Sequence, residues 1–261
     1  MVATALSLLA EDEPPPVRLH NADGRGAIVL VCEHAGRRIP RALGALGLAE
    51  TDVTRHIAWD IGAAGLAAAL AERLDAPLFT QTYSRLVCDC NRRTDVPAFI
   101  PEVGEATPIP GNVGLDEAGR RARTAAIWQP FHDAIEQALD GWSRAGRKVA
   151  FVTVHSFTPV FLGRARPMQA GLLFNRDPRL ARLVGARLRA AGDILVTDNE
   201  PYFMDDVNDY TVPHHGERRG LPCLEIEVRN DLIAEPAGQL AWADRLAPIL
   251  RAAVSELETS A

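Results

Sequence analysis

Three apolar runs in this chain each end abruptly on residues that carry chemistry, and that pattern narrows the folds open to it. Ile28-Val29-Leu30-Val31-Cys32 runs into Glu33 and His34, and Val149-Ala150-Phe151-Val152-Thr153-Val154 runs into His155. Leu224-Glu225-Ile226-Glu227-Val228 places two carboxylates on one strand beside Arg229. Continuous apolar runs of this length read as strands buried on both faces, as in sheets covered by helices on either side. In open α/β sheets ligands bind at the carboxyl ends of the strands. Two histidines and several acids on one rim are also the donor types that a hydrolytic metal site needs.

The rest of the chain alternates strand and helix. Strands are expected at 27–32, 77–82, 86–90, 148–154, 171–174, 194–197 and 223–228, and helices at 51–74, 115–144, 178–190 and 236–257. Thr51-Asp52 offers a helix cap, and Pro178 stands near a first helical turn. Residues 93–114 carry four prolines, Pro97, Pro101, Pro108 and Pro110, and residues 198–222 are polar. Both read as long loops of the kind that often cover a site. Residues 1–25, with Pro14-Pro15-Pro16, read as a poorly structured lead-in to a single hydrolase-type domain. The alternation predicts a three-layer α/β/α fold with a mostly parallel or mixed central sheet.

Charge and cysteine usage exclude several classes. A net charge of −6 leaves no basic footprint for nucleic acid. No run approaches the roughly 20 apolar residues that span a bilayer, and residues 1–10 lack the basic segment of a signal peptide. Cys32, Cys88, Cys90 and Cys223 sit in or beside apolar runs with neither Cys-x-x-Cys nor zinc-ribbon spacing, so they read as reduced, buried thiols. The expected setting is cytoplasmic. Nothing in the sequence bears on oligomeric state.

Six segments hold candidate site residues. His34 is followed by Ala35 and Gly36, which let other groups approach closely; it reads equally as a metal ligand or a loop cap. His56 and Asp60 are four apart and would share a helical face, as a ligand pair or an ion pair. Asp60 interrupts apolar sequence, where a carboxylate needs a cation or a metal. Arg85, Asn91, Arg92 and Arg93 cluster around Asp89 and favour a small anionic substrate, because guanidinium grips carboxylate bidentately. His155 is followed by Ser156, but no Gly-x-Ser-x-Gly elbow surrounds any serine, which excludes that form of serine catalysis. Glu225 and Glu227 share a strand face, which is costly without a cation or shared proton between them, and Arg229 is a rival neutraliser. His215, in His214-His215-Gly216, offers a further donor over the site.

In this order the segments resemble the N-formylglutamate amidohydrolase family, over residues 29–233. The resemblance is carried by Glu33-His34-Ala35-Gly36 with Pro40, His56 through Gly62, Ser84-Arg85 through Asn91-Arg92, Val154-His155-Ser156, and Glu225 through Leu232. That family is similar in fold (phosphorylase/hydrolase-like) to zinc carboxypeptidases and to the amidoacylases that release aspartate. The resemblance implies that Glu227 in Glu227-Val228-Arg229-Asn230 is the general base. It implies that Asn91 and Arg92 in Asp89-Cys90-Asn91-Arg92 hold substrate, and that His155 is the last metal histidine. Carboxypeptidase sites take their first ligands from His-x-x-Glu, whereas Arg37 stands three residues after His34 here. The missing carboxylate then falls to Asp60, with Glu33 second.

The implied cofactor is a divalent metal, Zn²⁺ first and Co²⁺ second, on His34, Asp60 and His155. Glu227 would handle the proton and Arg92 or the metal the oxyanion. Arg85, Arg92, Arg176 and Arg229 are the candidates for gripping substrate carboxylates. The implied reaction is hydrolysis of an N-formyl or small N-acyl amide of an acidic amino acid such as N-formylglutamate. The rivals are a deacylase or amidase of other specificity on the same scaffold, and a non-catalytic module that binds an anionic metabolite.

Overall fold

Successive side chains of a strand point to opposite faces, and here both faces are apolar, so helices must cover the sheet twice. The computed structural model describes residues 8–259, so the part of the signal-peptide reading that concerns residues 1–7 lies outside the described residues. In chain order the elements are β1 (Val17–His20), β2 (Ile28–Cys32), α1 (Ala63–Leu74), β3 (Leu78–Gln81), β4 (Val103–Gly104) and β5 (Thr107–Pro108). There follow α2 (Glu117–Arg123), α3 (Gln129–Arg144), β6 (Ala150–Phe157), β7 (Val160–Phe161) and β8 (Arg164–Ala165). The chain closes with β9 (Ala170–Leu173), α4 (Arg179–Ala190), β10 (Val196–Asp198), β11 (Cys223–Arg229) and α5 (Pro236–Thr259).

Seven strands form one mixed sheet in the order β1-β3-β2-β6-β11-β9-β10. β1 runs antiparallel to β3 and β9 antiparallel to β11, and the other neighbours are parallel. Ile28, Leu30 and Cys32 of β2 pack into the layer that holds α1, α4 and α5. Val29 and Val31 pack into the opposite layer with Phe131, Ile135 and Leu139 of α3. Each such side chain, fully buried, contributes roughly 1.5–3 kcal/mol. The expected three-layer α/β/α architecture with a mixed sheet is the observed one.

Three local expectations are corrected. The lead-in is not structureless throughout: β1 pairs with β3, and the carbonyls of Pro14, Pro15 and Pro16 accept hydrogen bonds from Tyr83 and Thr82. The helix expected from residue 51 begins only at Ala63, after turns that hold His56 and Asp60. Residues 86–90 form no strand, because side chains take their carbonyls. Asn112 donates to the Leu86 carbonyl at 2.9 Å, and the buried Arg123 donates to that of Val87 at 2.9 Å. Arg123 also donates to Asn112 Oδ1 at 2.6 Å and to the Gly111 carbonyl at 3.1 Å, clamping both ends of the proline-rich loop to α2. Between α2 and α3 lies a π turn, Thr124–Trp128, where Pro130 removes a helical donor.

Candidate active site

β2 continues into α1 and β3 on one side of the sheet, while β6 leads towards β11 on the other, so the strand order reverses between β2 and β6. That switch point is where an open α/β sheet leaves a crevice at its carboxyl edge. His34 follows β2, His155 lies on β6, and Glu225 and Glu227 lie on β11. Thr153 pairs in register with Glu225 and His155 with Glu227. All four side chains line one cavity of about 530 Å³, as do Asp60, Arg85, Asp89, Asn91, Arg92 and Asp209.

His34, Asp60 and His155 are 2%, 4% and 2% exposed, and a donor atom from each lies within 4.8 Å of the others. The His34 ring is oriented from behind: Nε2 donates to Asp89 Oδ1 at 2.7 Å, while Nδ1 accepts from Arg85 Nη1 at 3.2 Å and lies 3.4 Å from Asp60 Oδ2. His155 Nδ1 is 2.8 Å from the same Asp60 oxygen, and its Nε2 is 3.0 Å from Glu33 Oε2 and 3.7 Å from Glu225 Oε2. Each histidine thus turns Nδ1 towards Asp60 and keeps carboxylates against Nε2, the arrangement that fixes a metal-binding tautomer. Ligand atoms around a tetrahedral zinc sit about 3.4 Å apart; the His34–Asp60 spacing equals that, and the 2.8 Å between His155 and Asp60 is a hydrogen-bond distance.

The unsatisfied atoms point the same way. Both Glu33 carboxylate oxygens, His155 Nε2 and Glu227 Oε2 are buried without a well-aligned hydrogen bond. Orphans of that kind are rare in a folded core and collect where a ligand or ion completes the site. The fit of a divalent ion to His34, Asp60 and His155 rests on their donor atoms, which are buried and lie within 4.8 Å of one another. In the sequence reading Glu33 stood second for the carboxylate ligand. In the structure its oxygen faces Nε2 of His155, the side away from Asp60.

Electrostatics separates the carboxylates. Burial opposes ionisation of Asp60, but His34 and His155 outweigh it and hold the carboxyl far below its usual range. Asp89, buried too, is held well down by Arg85 and His34. Glu227 goes the other way: burial, then the charges of Asp60 and Glu225, push it well above the usual range. Asp209 is pushed up to about 8 by burial and by Glu225. One cavity thus holds two groups of acids with divergent affinities for a proton, a pattern that recurs at sites of proton transfer.

Not every expected residue arrives here. Arg176 is exposed in a different groove, ion-paired with Asp206 and Glu217. Arg229 turns to Asp231 at 2.8 Å and to the carbonyls of Arg166 and Pro167. His215 is fully buried against His132, whose Nδ1 it meets at 2.9 Å, and does not line the cavity. His56 reaches the rim beside Glu105 at 3.5 Å, from a turn and not from a helix shared with Asp60. Asp209 went unremarked in the sequence because it sits in a polar loop with no apolar run to mark it.

Asp60 is positioned by backbone. Its N–H donates to the His34 carbonyl at 2.9 Å, and two residues later Gly62 adopts φ +81° to open α1. A Cβ on Gly62 would stand 2.0 Å from the Ile233 carbonyl oxygen, so no other residue fits. Gly62→Ala is expected to destabilise the fold by roughly 2–4 kcal/mol, measured as a lower urea midpoint at unchanged m-value.

Fold and cavity together define an α/β protein whose buried histidines and carboxylates gather at the ends of parallel strands at a switch point. The chain belongs to the N-formylglutamate amidohydrolase family, whose profile matches residues 26–234. Members of that family are hydrolases acting on amide bonds. A solved structure of a gene product from Agrobacterium tumefaciens is 42% identical, with a TM-score of 0.93 over 96% of this chain and 99% of that one. The structure of N-formylglutamate amidohydrolase from Ralstonia eutropha JMP134 is 22% identical, with a TM-score of 0.73 over 95% of this chain and 100% of that one, a likeness of fold. No curated protein gives a sequence match. Among the described residues no helix is long and apolar enough to cross a membrane.

Proposed function

We propose that this protein is a metal-dependent amidohydrolase that removes a formyl or other small acyl group from the nitrogen of an amino acid, with N-formylglutamate the first substrate to assay. The observation that carries the reading is the His34–Asp60–His155 group, backed by carboxylates and opening on the same cavity as the unpartnered Glu227 Oε2. A divalent ion bound there, Zn²⁺ or Co²⁺, would polarise the amide carbonyl and lower the pKa of a water.

The chain's own residues account for the rest. Glu227 takes a proton from the attacking water and returns it to the departing amine nitrogen. Its raised proton affinity, set by burial and by the charges of Asp60 and Glu225, suits a group that must hold a proton and pass it on. Arg85, with Nη1 at 3.2 Å from His34 Nδ1 and 3.5 Å from Asp60, is the guanidinium nearer the cluster and faces the developing oxyanion. Arg92, beside Asn91 and Asp209, is farther along the cavity and takes the amino-acid carboxylate. Asp60 is held in place by the Ser156 N–H, which donates to it at 3.3 Å, and by its own N–H, which donates to the His34 carbonyl at 2.9 Å.

The test is metal content of freshly purified protein together with formate release from N-formyl amino acids before and after chelation. About one bound divalent ion per chain, and activity that disappears with chelator and returns with Zn²⁺ or Co²⁺, is the expected result. Formate release that survives complete metal removal overturns the metal's part. A metal-loaded protein that releases no acyl group overturns the amidohydrolase reading.

A further inference from the structure

Arg166 is a cation beside the cavity with no acid in ion-pair contact among the described residues. Its neighbours differ. Arg85 lies between Asp89, 2.7 Å from Nη2, and Asp60, 3.5 Å from Nη1. Arg55 is held by Asp52 and Glu105, each at 3.0 Å. Arg92 Nη1 stands 3.7 Å from Asp209, which burial and Glu225 push up to about 8. Near neutral pH that acid is largely protonated, so Arg92 remains able to grip a carboxylate. Arg166 instead lies 4.6 Å from the ring centre of Phe161, 4.9 Å from that of Tyr202 and 5.9 Å from that of Phe157. All three rings line the cavity.

Aromatic faces attract a guanidinium, but the hydrogen bond that Arg166 makes points further. Its Nη1 donates to the Tyr202 hydroxyl at 3.1 Å. A phenol that accepts in this way still has its own hydrogen to give, and that hydrogen has no acceptor among the described residues. Burial around the hydroxyl, with the charge of Glu227, raises its pKa and keeps the proton in place. Hydrogen bonding to a cation makes the phenol a stronger donor. The loop that presents it is fixed. The Glu200 carbonyl accepts from the Thr197 hydroxyl at 3.1 Å, and Met204 is fully buried. A Cβ on Gly171 of β9 would stand 2.1 Å from the same Glu200 oxygen, so the loop lies directly on the sheet. Farther along it the N–H groups of Tyr210 and Thr211 donate to Asn91 Oδ1, beside Arg92. One loop therefore runs between the two donors.

We infer that the Tyr202 hydroxyl, held by Arg166, receives the second carboxylate of a dicarboxylic N-acyl amino acid whose first carboxylate lies on Arg92. Tyr202 reads the charge of the substrate's side chain, and Arg166 is a positioning residue that acts through it. The inference rests on the amidohydrolase reading for the reaction and on the Arg166–Tyr202 pair for the anchor. A carboxylate at the hydroxyl supplies the negative charge that Arg166 lacks, whereas an amide in its place leaves that cation unbalanced. A site built to hydrogen-bond one group rejects the analogue that lacks it.

Formate release by the zinc-loaded protein from N-formylglutamate and from N-formylglutamine, which differ only in that charge, tests the anchor. Tyr202→Phe keeps the ring and removes the donor. It is expected to lower the ratio of kcat/KM for N-formylglutamate over N-formylglutamine about tenfold, chiefly through KM for N-formylglutamate. Arg166→Met should lower the ratio in the same direction, and Arg166→Lys should recover most of it. A merely structural role would instead lower thermal stability and slow both substrates alike. A ratio in Tyr202→Phe within twofold of the parent's overturns the inference, as does an equal loss on both substrates. If no formyl compound is hydrolysed, the amidohydrolase reading falls, and titration calorimetry with L-glutamate and L-glutamine decides the anchor. A preference for glutamate that Tyr202→Phe abolishes then upholds it, and absence of any preference overturns it.

Discussion

Replacing Glu227 with glutamine is expected to lower kcat by about 10³-fold or more while leaving the fold as stable as before or more so. A positioned general base contributes typically 10²–10⁴-fold, and the amide keeps the shape of the side chain while removing its basicity. The stability half of the prediction is the more discriminating. Glu227 is 4% exposed, its Oε2 has no hydrogen-bond partner, and its carboxyl is disfavoured in charged form by burial, Asp60 and Glu225. A neutral amide relieves that repulsion, so the melting temperature should hold or rise while turnover collapses. That is the usual opposition between stability and activity at a catalytic group. Single-turnover formate release and thermal melting of the metal-loaded variant are the measurements. Activity within tenfold of the parent would remove Glu227 from the proton-transfer role.

Acid should destabilise this protein steeply through a histidine pair that touches no ligand. His132 Nε2 donates to the Cys90 carbonyl at 2.9 Å, which leaves Nδ1 to accept from His215 Nε2 at 2.9 Å, so both rings are neutral. Burial lowers the pKa of His132 to about 3, and burial with its His132 and His214 neighbours lowers that of His215 further. In the unfolded chain both titrate near 6.5. Between pH 6.5 and 3 the unfolded state thus binds more protons than the folded state. The pair's contribution is fully present above pH 6.5 and is lost as the pH falls through that window. Each group contributes about 1.4 kcal/mol per pH unit there, so the pair contributes roughly 2.7. Urea midpoints at pH 6.5, 5.5 and 4.5 would show the slope, and His132→Gln, which cannot titrate, should remove about half of it. An unchanged slope in that variant would assign the acid sensitivity elsewhere.

How far the sequence was legible depends on what each residue leans on. β2, β6 and β11 announce themselves because strands buried on both faces must be apolar throughout, and the polar residue that ends each run must sit at the sheet's edge. His34, His155, Glu225 and Glu227 came to one cavity for that reason. β1 was missed because three of its four residues are exposed, so it bears no apolar signature. The early start given to α1 followed from Thr51-Asp52, which reads as a helix cap but opens only a short 3₁₀ turn, Asp52–Thr54. The backbone bond from Asp60 to His34 and the left-handed turn at Gly62 override it. Arg176, Arg229 and His215 illustrate a different limit. Charge names what a side chain can grip but not what it will, and each found a partner in this chain: Asp206 and Glu217, Asp231, and His132.

The clamp built on Arg123 has a consequence for how this scaffold can diversify. Its attachment points are the Val87 carbonyl, the Gly111 carbonyl and Asn112, all outside the span between residues 93 and 110. That span carries Ala98, Pro101, Val103, Gly104 and Glu105, which form one wall of the cavity. The groups proposed for proton transfer and metal binding hang from the strand ends and the 60s turn, anchored independently. The molecule is therefore divided into a floor and a wall, joined by the buried Arg123 and by further bonds such as that from the Asp89 N–H to the Phe99 carbonyl at 2.7 Å. Grafting a relative's 93–110 segment would alter what the cavity admits, and would leave the His34 ring in place only if the graft kept a carbonyl where Phe99 offers one to the Asp89 N–H.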